Sequence, residues 1–88
     1  MKNLSKQPDT YSTTDLGIAV FLITRGDELL STTVIGDRRL VFHFKRKETT
    51  DGLVTKYLNG SGKASAKRLF ENYRALRAMA FAQTNNLK

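Results

Sequence analysis

The stretch Arg39 to Arg46 constrains this chain more than any other. In it Leu40, Phe42 and Phe44 alternate with Val41, His43 and Lys45, a period of two that puts the aromatic rings on one face of a β-strand and the polar tips largely on the other. Such a strand needs a partner for its backbone and an apolar cover for one face. Residues 28–35 supply the partner, because Gly36-Asp37-Arg38 allows a tight reversal and makes 28–35 and 39–46 an antiparallel hairpin. Leu30, Thr32 and Val34 oppose Leu29, Ser31, Thr33 and Ile35 in that first strand, an alternation too weak to fix its inward face.

The cover is expected to be helical. Thr13, Thr14 and Asp15 offer N-cap oxygens, and Leu16, Ala19, Val20 and Ile23 follow at the spacing of one buried face, widened by Phe21 and Leu22, before Gly26 closes the helix. A strand competes here, since Ile18, Val20 and Ile23 are β-branched and Gly17 costs helix stability. Thr49, Thr50 and Asp51 can cap a second, short helix with Leu53, Val54, Tyr57 and Leu58 on one face and Asn59-Gly60 at its end. After a flexible Gly60-Ser61-Gly62 linker, Ser65 caps a last helix in which Leu69, Tyr73, Leu76 and Ala80, flanked by Phe70 and Phe81, repeat at three and four residues.

These elements predict a small single α+β domain: a helix, an antiparallel hairpin and two C-terminal helices. Residues 1–9, polar and holding the single proline Pro8, read as a flexible leader, 10–84 as the domain and 85–88 as a frayed tail. Leu16, Val20, Phe42, Phe44, Leu53, Tyr57, Leu69, Tyr73 and Leu76 form the expected core. Eighty-eight residues bury only about 60 to 65% of their unfolded surface, and without cysteine the fold holds by packing alone. Two strands make a weak sheet. Residues 10–13 or 62–65 are therefore candidates for a third short strand, or the hairpin edge pairs with a second chain as a homodimer.

The net charge of +7 is unevenly spread. Arg38, Arg39, Lys45, Arg46 and Lys47 against Asp37 leave residues 36–47 at +4, and Lys63, Lys67, Arg68, Arg74, Arg77 and Lys88 against Glu71 leave 61–88 at +5. Segments 1–35 and 48–60 are each at −1. Arg38 and Arg39 stand at one end of the second strand, with Lys45, Arg46 and Lys47 at the other, roughly 20 Å away. On the last helix Lys67, Arg74 and Arg77 lie on or near one flank, with Arg68 turned aside. A polyanion fits if both groups share one side of the fold; otherwise the charge serves solubility. Phe42, Phe44, Phe70 and Tyr73 all fit the core, which leaves Tyr11 as the exposed ring.

Signatures of catalysis are absent. "GSGKAS" around Gly62-Lys63 fails as a phosphate loop, with Tyr57 and Ala64 where glycine and Ser or Thr are needed. His43 is the single histidine and lacks cysteine partners for a metal site, so it reads as a surface or sheet histidine. Asp15 and Asp51 fit helix starts, Asp37 the turn, and Glu71 a helical pair with Lys67 or Arg74, while Asp27-Glu28 reads as a solvated loop. No enzyme, cofactor or metal is expected. The longest apolar run, Ile18 to Ile23, is six residues, so neither a secretory signal nor a membrane span is expected and the cytoplasm is the default location.

The segments "YSTTDLGIAVFLITRGDELL", "RRLVFHF" and "YLNG" before a final helix resemble a small family of bacterial and bacteriophage domains of unknown function, over about residues 10 to 82. This chain carries Val-Phe-His-Phe where the family strand is of the Phe-Val-Phe type. The resemblance implies a compact α+β domain, often encoded among phage or mobile-element genes, with no established activity and no site residues to transfer.

The leading expectation is a non-enzymatic nucleic-acid-binding accessory protein with phosphate contacts through Arg38, Arg39, Lys45, Arg46, Lys47, Lys67 and Arg74. The alternative is a protein-interaction module or phage factor acting on a host protein, for which small size and an open sheet face or edge are the reasons.

Overall fold

A computed structural model describes residues 9–36 and 39–85; the predicted site residue Arg38, the turn residue Asp37, most of the expected leader and residues 86–88 of the expected tail lie outside them. Six elements follow in order: β1 (Thr10–Thr13), α1 (Leu16–Thr24), β2 (Leu29–Ile35), β3 (Arg39–Lys45), α2 (Thr50–Leu58) and α3 (Ala66–Asn85). The α+β class is as expected. Of the two candidate third strands, residues 10–13 form one, whereas 62–65 lead into α3 without strand structure.

The sheet is antiparallel in the order β1-β3-β2, so the most strongly alternating strand is central. In register with it, Tyr11 faces Phe44 and Ser12 faces His43 on one side, while Thr32 faces Phe42 and Val34 faces Leu40 on the other. A register shift between Leu29 and Ser31 makes Leu30 an extra residue, turned outward and half-exposed. With β1 along one edge of β3, the outer edge of β2 is the hairpin edge at which a second chain would have to pair.

Helix α1 starts where Asp15 Oδ1 accepts the Ile18 N–H at 3.1 Å. It ends at Gly26, whose φ of +101° lets its N–H reach the Ile23 carbonyl and the Asp27 N–H reach that of Leu22. Ile18, Ala19, Val20, Phe21 and Leu22 are all buried, so the helix has no polar face. A helix apolar all round must be enclosed, and α1 packs against β1, α2 and α3 at once. Leu40, Phe42 and Phe44 from the sheet, Leu53 from α2 and Leu76 from α3 close the core around it.

Three expectations about burial are corrected. Tyr57 and Tyr73 are more than a third exposed, outside the core assigned to them, and Leu16 and Leu69 are only partly buried. Phe70 is exposed, whereas Tyr11, expected to be the exposed ring, is partly buried against the core. Asp27 is buried, not solvated. The linker is also tied down: the Ser61 and Gly62 N–H groups both donate to the Lys56 carbonyl, and Arg25 Nη1 donates to that of Lys63 at 2.9 Å. Gly62 itself lies so close to the Phe21 ring that a Cβ would come within 2.8 Å of Cζ, which gives this glycine a packing role in place of a phosphate-binding one.

Candidate nucleic-acid interface

Strand alternation sends Leu40, Phe42 and Phe44 toward the helices and Arg39, Val41, His43 and Lys45 to the opposite face. Arg39 and Lys45, both exposed, therefore mark the two ends of that face, opposite Ile35 and Thr10 respectively. The next two cations are each held by a carboxylate. Arg46 Nη1 lies 3.4 Å from Asp51 Oδ2, with the guanidinium 5.5 Å from the centre of the Tyr11 ring, and only 16% of the side chain is exposed. Lys47 Nζ lies 3.2 Å from Oδ1 of Asp27, whose side chain is fully buried. Arg46 is thus largely covered although Asp51 is exposed, whereas Lys47 keeps 47% of its side chain in solvent while holding a buried carboxylate, so this end of the hairpin has a structural role and Arg46 offers little to a polyanion.

Helix α3 carries the other group. Its buried and partly buried residues Leu69, Asn72, Leu76, Met79, Ala80, Gln83 and Thr84 fall along one side. Phe70 and Phe81 are eleven residues apart, close to three turns, and so share a line about 120° from Leu76. That line is wet, with Phe70 61% and Phe81 70% exposed. Arg74, Arg77 and Lys67 stand beside these rings. The Arg74 guanidinium lies 5.0 Å from the Phe70 ring centre, and Arg77 Nη1 donates to the Tyr73 hydroxyl at 3.2 Å. Lys67 pairs with Glu71 at 3.1 Å but is 85% exposed, so the pair is weak and the ammonium accessible.

One groove connects sheet and helix. Arg39 and Phe42 on one side and Arg77, Phe81 and Thr84 on the other line an open cleft of about 350 Å³. The Arg39 end of the hairpin thus reaches α3, although the helices pack on the opposite side of the sheet from the Lys45 end of β3's polar face. Arg77 was legible in the sequence as part of the basic flank; its meeting with Arg39 was not, because it depends on how α3 crosses the sheet.

Residues 8–82 match the family described as Domain of unknown function (DUF5659). The chain belongs to that family. The DUF5659 match runs from before β1 to the last turn of α3 and takes in Arg39, Lys67, Arg74, Arg77 and the rings beside them, and it agrees with the small family of unknown function that the sequence motifs resemble. No curated protein and no solved structure matches the chain.

On the polar face of the DUF5659 sheet, His43 joins all three strands: Nδ1 lies 2.7 Å from Ser12 Oγ and Nε2 lies 2.8 Å from Thr33 Oγ1. A neutral imidazole has one donor and one acceptor nitrogen, and each hydroxyl can fill either part. Both ring nitrogens are thereby used within the sheet. Among the described residues no group of three or more His, Cys, Asp or Glu side chains could hold a metal ion, and no helix is long and apolar enough to cross a membrane.

Proposed function

We propose that this chain is a non-enzymatic nucleic-acid-binding accessory protein, working in the cytoplasm in the phage or mobile-element setting its sequence resemblance implies. Phosphates are met by Lys67, Arg74 and Arg77 on α3 and by Arg39 at the end of β3. The observation that supports the reading is the groove lined by both Arg39 and Arg77, which brings one basic residue of the hairpin beside one of the helix. Lys45 is an outlying contact at the far end of the strand, and Arg46 and Lys47 serve the fold first.

Such contacts act by counterion release and are lost as salt rises. The chain purified at low salt should carry material that raises its absorbance at 260 nm relative to 280 nm, and a high-salt wash should remove it. A ratio that is protein-like at both salt concentrations counts against the reading. A second reading, a protein-interaction module, is favoured by the open outer edge of β2, on which Leu30 and Ile35 are exposed. A stoichiometric protein partner kept after nuclease treatment would support it.

A further inference from the structure

Between α1 and the first half of α3 runs an open apolar cleft of about 780 Å³, floored by Gly17, Val20 and Leu69 and walled by Tyr57, Phe70 and Tyr73. Three aromatic side chains leave surface in water here, Phe70 at 61%, Tyr57 at 38% and Tyr73 at 36%. The floor is shaped by what it lacks, since a Cβ on Gly17 would collide with the Tyr57 hydroxyl.

The cations around this cleft touch its rings. Arg74 lies over Phe70, Arg77 donates to the Tyr73 hydroxyl, and Lys67 lines the cleft itself. Phe70 and Tyr73 therefore each have an arginine four residues on, one turn away. A ligand matching this alternation carries a flat apolar face and an anion in the same repeating unit. Inorganic polyphosphate offers the anion without the face, and duplex nucleic acid hides its base faces in the stack. Single-stranded nucleic acid offers both.

We infer that the cleft takes unpaired bases of single-stranded DNA or RNA, stacked on Phe70 and Tyr73, with the flanking phosphates on Lys67, Arg74 and Arg77. This rests on the proposed nucleic-acid function and specifies its substrate. Phe81 lies on the line of Phe70, about 16 Å further along α3, in the groove that also holds Arg39 and Arg77. A strand laid along α3 passes both rings and ends at the hairpin.

Fluorescence anisotropy on the full chain tests this with a labelled oligothymidylate of about twelve nucleotides, the same strand annealed to oligoadenylate, and inorganic polyphosphate as competitor. At matched salt the single strand should bind about tenfold tighter than the duplex. Combining Phe70→Ala with Tyr73→Ala should weaken single-strand binding by about tenfold or more and leave duplex binding unchanged. Phe70→Trp, which keeps a stacking surface, should retain affinity; circular dichroism checks that each variant folds. Equal affinity for strand and duplex, or indifference to loss of both rings, overturns the base site and leaves the phosphate reading standing. No binding of any polyanion at low salt ends both, as does capture of an acidic amphipathic peptide by a chain that binds none of the nucleic acids.

Discussion

Lys47 Nζ stands 3.2 Å from Oδ1 of Asp27, and the other carboxylate oxygen accepts the Thr50 hydroxyl at 3.1 Å. Thr50 is itself fully buried and its Oγ1 accepts the Lys47 N–H at 2.9 Å. The exit of α1, the end of the hairpin and the first turn of α2 are thereby joined at one buried carboxylate. Removing the ammonium leaves that charge with a single neutral hydrogen bond. Lys47→Ala should lower the unfolding free energy by roughly 2 to 4 kcal/mol, measured by urea denaturation, with Asp27→Asn costing less because no buried charge is stranded. A Lys47→Ala protein as stable as the parent contradicts this role.

Two glycine-to-alanine changes should have opposite signs. At Gly62 the new Cβ meets the ring of Phe21, which is buried and cannot give way, so Gly62→Ala should destabilise by about 1 to 3 kcal/mol. Gly52 lies inside α2 with nothing within 4 Å of its would-be Cβ, so Gly52→Ala should stabilise by about 0.5 to 1 kcal/mol. Urea midpoints shifting in the same direction for both would contradict the packing described.

The phenylalanines divide into two classes that stability measurements separate. Phe44 is fully buried at the centre of the sheet, and Phe44→Ala should cost about 3 to 5 kcal/mol. Phe81 is 70% exposed, and Phe81→Ser should change stability by no more than about 0.5 kcal/mol. Thermal unfolding of the two variants side by side decides the matter, and a large loss for Phe81→Ser would put that ring in the core after all.

How far these features could be read in advance depended on whether one element or several determined them. The alternation of Leu40, Phe42 and Phe44 belongs to one strand and survived intact as the buried face of β3. The cap at Asp15 and the stop at Gly26 are likewise local. Strand β1 was legible only as one of two options, because Thr10 to Thr13 carry little apolar pattern and pair only because β3 offers them a free edge. Asp27 looked solvated because its partners Lys47 and Thr50 lie twenty or more residues away. On α3 the angle between the Phe70–Phe81 line and Leu76 is a sequence property, but the width of helix that gets covered is not. Helix α1 and a small sheet reach only one side of α3, and the aromatic line falls beyond it.

The most direct test of the central claim is the salt dependence of oligonucleotide affinity in the parent and in Arg39→Ala/Arg77→Ala. Four phosphate contacts give a slope of log K against log salt of about −3 to −4, and loss of both arginines should reduce its magnitude by about 1.4 to 1.8. Arg46→Ala, which removes a cation held by Asp51 and Tyr11, should leave the slope nearly unchanged. If the double variant keeps the parental slope, or Arg46→Ala lowers it as much, phosphates do not follow the groove between Arg39 and Arg77.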